Sequence, residues 1–238
     1  MSIKSAIKSA LERRGYTFGR HPMNRFFRDH DFDVVLDVGA NRGQYASELR
    51  KKFSYTNRIV SFEPMKKAFE LLTRKMGDDP SWVGKNWALG AESGEQVINI
   101  AGNSASSSLL GMLPAHSDVV PGSAYVDSET AKVCTLDEAF SLFVKSGETI
   151  LLKVDTQGYE MEVLKGAANS LPQIAALQLE LSLTPLYDGA PLLEDVVSHI
   201  RDEGFVPYWF LPGFWDPTSH QQLQVDGLFV RSNILNQS

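Results

Sequence analysis

The chain has 238 residues, 43% hydrophobic and 22% charged, with a formal net charge of −6; this suits one soluble α/β domain with insertions and a sizeable core, and argues against disorder. The acidic balance gives no electrostatic footprint for nucleic acid, and no apolar run approaches the ~20 residues that span a membrane. The single Cys134 excludes an internal disulfide and no signal-like apolar stretch follows the N-terminus, so a reducing cytoplasmic location is the expectation.

Residues 2–14 place Ile3, Ala6, Ile7, Ala10 and Leu11 on one helical face, with Lys4, Lys8, Arg13 and Arg14 elsewhere. Such an amphipathic helix either rests on an anionic membrane surface or packs over a sheet as a cover or lid. Its apolar face is short and lacks Trp, Phe or repeated Leu, which favours packing. Residues 1–32 are read as a helical extension and 33–238 as the main domain.

Val34, Val35, Leu36 and Val38 form an apolar run without alternation, the pattern of a parallel strand buried on both faces. It carries Asp37 and ends in Gly39-Ala-Asn-Arg-Gly43. Gly39 allows a tight turn and close approach to a ligand, and Gly43 opens a helix over 44–53 whose first N–H groups face the same spot. A second strand, Arg58-Ile-Val-Ser-Phe-Glu-Pro64, delivers Glu63 about 20 residues further on, where doubly wound folds hold a ribose. The loop lacks the G-x-G-x-x-G of dinucleotide sites and has bulky residues where a pyrophosphate needs bare backbone, so a ligand without phosphate fits better. Ordinary strand-to-helix packing is the alternative for such a loop.

A helix follows to about Arg74–Met76, then a turn at Gly77-Asp-Asp-Pro80 and a third strand from Trp82 to Leu89. Residues 91–135 interrupt the alternation as a hairpin-like insertion, with strands over 95–101 and 131–135. Between them Ser106, Ser107 and Ser108 either touch a ligand or belong to a solvated loop. Cys134 reads as a small strand residue.

Strands over 149–155 and 175–180 end in Asp155 and Glu180. An amphipathic helix over 192–203 carries His199, and two last strands, 206–211 and 226–230, flank Pro212-Gly-Phe-Trp-Asp-Pro217. Trp209 is expected in the core beneath this hairpin, whereas Phe214 and Trp215 belong either to that core or to the wall of an acceptor pocket. Of the five histidines none has metal-ligand spacing, and His116, in the insertion, is the candidate base.

Asp37-Val-Gly-Ala-Asn-Arg-Gly43, Phe62-Glu-Pro64, Asn86-Trp-Ala-Leu-Gly90, Thr135-Leu-Asp-Glu138 and the segment 151–167 with Asp155, Gly158 and Glu160 resemble, in order and spacing, the FkbM family of class I methyltransferases over about residues 33–230. The resemblance implies a three-layer α/β/α, Rossmann-like sandwich. Its mostly parallel sheet has about seven strands in the order 3-2-1-4-5-7-6 and closes in an antiparallel C-terminal hairpin. It implies an S-adenosylmethionine-dependent O-methyltransferase acting on a hydroxyl of a sugar, glycolipid or polyketide-like product. No Asn/Asp-Pro-Pro-aromatic tetrapeptide is present, which disfavours an amine acceptor. The partner is then a small-molecule or glycolipid hydroxyl, with weak peripheral membrane contact and oligomerisation left open.

By this resemblance Gly39, Asn41, Gly43 and Glu63 hold the cofactor, Phe62 and Leu89 flank its adenine, and Asp37 supports the loop. Asp155 and Glu180 end neighbouring strands. Their repulsion is relieved either by one carboxyl keeping its proton and later serving as base, or by a divalent ion such as Mg²⁺ between them, with Glu160 as a further ligand. The bland alternative has Asp155 capping its helix and Glu160 in that helix's first turn. Lys153 pairs with one of these acids or snorkels outward. Two other functions remain open, a non-catalytic S-adenosylmethionine-binding scaffold and a nucleotide-dependent oxidoreductase.

Overall fold

The computed structural model describes residues 22–235, and the helix expected over 2–14 lies outside them. The chain divides between Asp31 and Phe32 into two compact units. The described part of the first includes helix α1, Pro22–His30.

In chain order the second unit runs β1 (Val34–Val38), α2 (Gln44–Lys51), β2 (Arg58–Phe62), α3 (Lys66–Met76), β3 (Trp82–Lys85), β4 (Ala88–Leu89), β5 (Gly94–Ala101), α4 (Pro114–Ser117), β6 (Tyr125–Cys134), α5 (Leu136–Phe143), β7 (Ile150–Val154), α6 (Glu160–Lys165), β8 (Ala176–Ser182), α7 (Leu193–Asp202), β9 (Phe205–Pro212), β10 (Gln224–Arg231) and α8 (Ser232–Leu235). Seven strands form one sheet in the order β3-β2-β1-β7-β8-β10-β9. Strands β3, β2, β1, β7 and β8 are parallel to one another, whereas β10 is antiparallel to both β8 and β9. This is the class I order and α/β class expected from the sequence.

Every residue of β1 and β7 is buried, which explains their unbroken apolar runs: a central parallel strand covered on both faces has no polar side to show. Their Val, Leu and Ile side chains join those of β2, β8, α5, α6 and α7 in the main core. The word Thr135-Leu-Asp-Glu138 has a structural use. The Thr135 hydroxyl caps α5 by accepting from Glu138 N at 3.2 Å, and Asp137 accepts from the backbone N–H groups of Asn169 and Ser170, bolting α5 to the turn after α6.

Two expectations are corrected. The strand expected over 82–89 is broken, because Asn86 Nδ2 donates to the carbonyls of Glu63 and Pro64 at 2.9 and 2.7 Å and draws the chain off the sheet edge. Beyond that point β4 pairs with β6 in a separate three-stranded sheet, β4-β6-β5. The insertion is an antiparallel hairpin as expected, but β6 starts at Tyr125. Its first half, Tyr125–Thr130, is largely exposed and so lacks the apolar signature of a strand.

Candidate active site

β1 and β7 lie side by side with Asp37 in register with Lys153. Asp37 is fully buried and accepts from Ser61 Oγ at 3.1 Å. Lys153 Nζ stands 3.3 Å from Asp37 Oδ1 and 3.4 Å from Asp155 Oδ2, and donates to the carbonyls of Val38 and Gly39 at 3.3 and 3.1 Å. Burial pushes the Asp37 carboxyl up, against the pull of Lys153. Burial also works to strip the proton from Lys153, but the charges of Asp155 and Asp37 outweigh it and hold the ammonium above its ordinary range. Lys153 thus pairs with acids, as expected, and ties the glycine loop to the end of β7.

The chain turns out of β1 at Gly39, whose φ is +76°. A Cβ there would lie 1.8 Å from the carbonyl oxygen of Asp155, so only glycine lets the loop cross the β7 terminus. Asn41 also has a left-handed backbone, with φ +46°. Its N–H donates to Glu63 Oε2 at 2.7 Å, while Met65 N donates to Oε1 at 2.8 Å. Glu63 is only 2% exposed. Burial pushes its carboxyl up to about 7, with the two backbone N–H groups resisting.

These residues open onto a cavity of about 390 Å³ at the C-terminal edge of the parallel strands. Gly39, Asn41, Phe62, Glu63 and Leu89 line it. Asp37 and Gly43 stand outside the lining: Asp37 anchors Lys153, and Gly43, with φ +74°, lets the chain enter α2.

The same cavity is lined by Asp155, Glu180 and Asp226. Gln157, with φ +57°, places its amide between two of them, Nε2 donating to Asp155 Oδ1 at 3.0 Å and to Glu180 Oε2 at 2.6 Å. Gln224 Nε2 donates to the same Glu180 oxygen at 2.9 Å. Burial, then the charges of Asp155, Glu160 and Asp226, hold the Glu180 carboxyl well above its ordinary range. Repulsion between Asp155 and Glu180 is therefore eased by the bridging Gln157 amide and by Lys153 on Asp155, while burial favours the neutral form of Glu180.

Glu160 has a different task. Its Oε1 accepts from Thr156 N at 2.8 Å, Thr156 Oγ1 at 3.1 Å and Gly158 N at 3.2 Å, so it folds back over the start of its own helix. Among the described residues no three His, Cys, Asp or Glu side chains converge as a metal site. The divalent-ion alternative for Asp155, Glu180 and Glu160 therefore lacks its third ligand.

The Ser-rich segment is a packed wall, not a solvated loop. Ser106, Ser107 and Ser108 are buried; Ser108 Oγ donates to the Gln157 carbonyl at 2.8 Å, and Ser107 Oγ accepts from Ala101 N at 2.9 Å. Ser104, Ser107 and Ser108 face the cavity. His116 does not: it lies behind the wall, with Nε2 3.0 Å from Ser106 Oγ and its ring against Tyr187 and Phe214. Burial pushes the His116 pKa down. Phe214 and Trp215 also lie outside the lining. Trp209, expected in the core, is 48% exposed on the edge strand β9.

Among the lining residues that escaped the sequence reading are Tyr45, Gln157, Gln178 and Asp226. Tyr45, from the first turn of α2, donates its hydroxyl to Gln178 Oε1 at 2.7 Å. Its position next to Gly43 was the available signal. Asp226 gave none, since only the antiparallel register sets it opposite Glu180.

The model of the FkbM methyltransferase domain matches residues 37–207. The chain belongs to the FkbM methyltransferase family. The hexuronic acid methyltransferase AglP of Haloferax volcanii is similar to it, 30% identical over 188 residues that cover 73% of this chain and 69% of that protein. A solved WbdD structure, co-crystallised with a kinase inhibitor, matches with a TM-score of 0.51 at 11% identity, covering 90% of this chain and 41% of that one, a likeness of fold alone. This FkbM protein is an S-adenosylmethionine-dependent methyltransferase, which sets aside the oxidoreductase alternative.

Proposed function

We propose that this FkbM enzyme is an O-methyltransferase that acts on a hydroxyl of a sugar or sugar-like product. One observation carries the reading: a single cavity is lined both by Gly39, Phe62, Glu63 and Leu89 and by three carboxyls, Asp155, Glu180 and Asp226. The sugar acid in the name of the Haloferax relative supports the acceptor class.

The residues fit the cofactor. The bare Gly39 leaves room where a side chain would collide with Asp155, and Glu63 turns a carboxylate, fixed by two backbone N–H groups, toward the cavity with lone pairs left for ribose hydroxyls. Phe62 and Leu89 supply apolar surface for the adenine, and Asp37 acts through Lys153 to hold the loop. When bound, S-adenosylmethionine supplies an electrophilic methyl group on a sulfonium and departs as S-adenosylhomocysteine.

The enzyme's residues align the acceptor and handle one proton. With the cofactor bound, Asp155, which Lys153 and Gln157 hold in place, would take the proton of the acceptor hydroxyl. Burial and the neighbouring acids favour the neutral form of Glu180, and His116 steadies the serine wall from behind. Alignment is the larger contribution, since holding two reactants together removes up to ~7–11 kcal/mol of barrier in ideal systems.

The test is methyl transfer from isotopically labelled S-adenosylmethionine to a panel of glycosides, wild type against Asp155→Asn. Transfer that falls at least about a hundredfold in the variant supports the reading, in the range of general-base contributions. Cofactor binding with no transfer to any hydroxyl acceptor favours the non-catalytic scaffold instead.

A further inference from the structure

This inference rests on the methyl-transfer reading above and concerns the carboxyls that line the same cavity. Asp226 on β10 is in register with Glu180 on β8, and directly opposed residues of an antiparallel pair project to the same face. With Asp155 at the end of β7, three carboxyls follow one another along the sheet edge. Glu63 and, from α2, Glu48 also line the cavity, and Glu48 pairs with Lys52 at 2.8 Å.

Cations do not balance them. Among the described residues that line the cavity, Lys153 is the one cation, and its ammonium is engaged by Asp37, Asp155 and two carbonyls. Several side-chain donors beside the acids are engaged as well: the amide nitrogens of Gln157 and Gln224 face Glu180, and the Tyr45 hydroxyl faces Gln178. What the row of acids offers is acceptor lone pairs, above all on Asp226. A polyol fills that need with O–H donors, whereas a carboxylate brings a like charge and no donor.

We infer that the acceptor is an uncharged, polyhydroxylated sugar-like molecule whose neighbouring hydroxyls donate to Asp226 and Glu180, and that Asp226 turns away acceptors bearing a carboxylate at that position. Asp226 is a specificity-determining residue of the site. Burial and the charge of Asp155 push its pKa up to about 6, with Lys153 pulling the other way, so it is ionised at neutral pH. The preference sets this chain apart from the hexuronic acid named for the Haloferax relative.

The experiment uses the full chain saturated with S-adenosylhomocysteine, with binding of methyl β-glucoside and methyl β-glucuronide read by saturation-transfer NMR. Wild type is expected to bind the glucoside at least tenfold more tightly. In Asp226→Asn, checked for native circular dichroism, that ratio is expected to shrink severalfold through a gain for the glucuronide. A glucuronide that binds wild type as well as the glucoside overturns the inference, as does silence from both glycosides; in either case the methyl-transfer reading stands if S-adenosylhomocysteine binds. Failure of folded wild type to bind S-adenosylhomocysteine overturns that reading, and this inference with it.

Discussion

Replacing Lys153 by methionine keeps most of the side chain's length and removes its charge. Four groups then lose a partner at once: the carboxylates of Asp37 and Asp155 and the carbonyls of Val38 and Gly39. Asp37 sets the magnitude, because it is fully buried and keeps only its bond from Ser61. A buried charge stripped of its partner costs roughly 3–5 kcal/mol. Asp37 can avoid that cost only by holding a proton, a direction in which burial already drives it. In the variant the native state then keeps a proton that an unfolded aspartate releases near its ordinary 3.8, so stability is greatest below that value and falls as pH rises through the native pKa. Urea unfolding at about pH 8 should show Lys153→Met roughly 3–5 kcal/mol less stable than wild type, or about 10 °C lower in melting temperature for a chain of this size. The gap should narrow toward about pH 5, and adding Asp37→Asn should restore part of the loss. A Lys153→Met protein within about 1 kcal/mol of wild type at pH 8, with no added pH dependence, refutes the argument.

Two further outcomes follow from the loop and from its acid. Gly39→Ala drives a Cβ to 1.8 Å from backbone at Asp155, whereas Gly43→Ala meets only the tip of Leu72 at 2.8 Å. The second should cost about 1 kcal/mol of left-handed strain, the first several times more together with loss of S-adenosylhomocysteine binding; equal losses in urea unfolding contradict the account. Burial holds Glu63 and Glu160 each at about 7 against an ordinary 4.5. Both raised values mean that stability is full below pH 4.5 and declines as pH rises through 7, by roughly 3 kcal/mol for each group. Glu63→Gln should remove its share of that slope in urea titrations across this range, and an unchanged slope would show that Glu63 ionises freely.

What the sequence disclosed depended on how local the cause was. β1 and β7 were legible because burial on both faces leaves an unbroken apolar run, and Gly39 because a turn hard against another strand admits no side chain. Glu63 was legible from its spacing to the loop. Asp226 was hidden, since its partnership with Glu180 is a matter of strand register. The same holds for Tyr45 with Gln178 and for the left-handed Gln157 that sets its amide between two acids. Composition left the serine segment open between ligand wall and solvated loop, and hydrogen bonds internal to the fold make it a buried wall. It misled at Trp209, which lies exposed on the edge strand β9.

The most direct test of the account is a calorimetric titration of S-adenosylhomocysteine into wild type and Glu63→Gln. In wild type Asn41 N and Met65 N hold the Glu63 carboxylate ready for the ribose, and hydrogen bonds to a charged acceptor contribute about 1.5–3 kcal/mol. The account predicts saturable one-to-one binding to wild type that weakens roughly ten- to a hundredfold in the variant while its circular dichroism stays native. Equal affinity for both proteins would contradict the placement of the cofactor beside Glu63, and no binding to folded wild type would contradict the cofactor site itself.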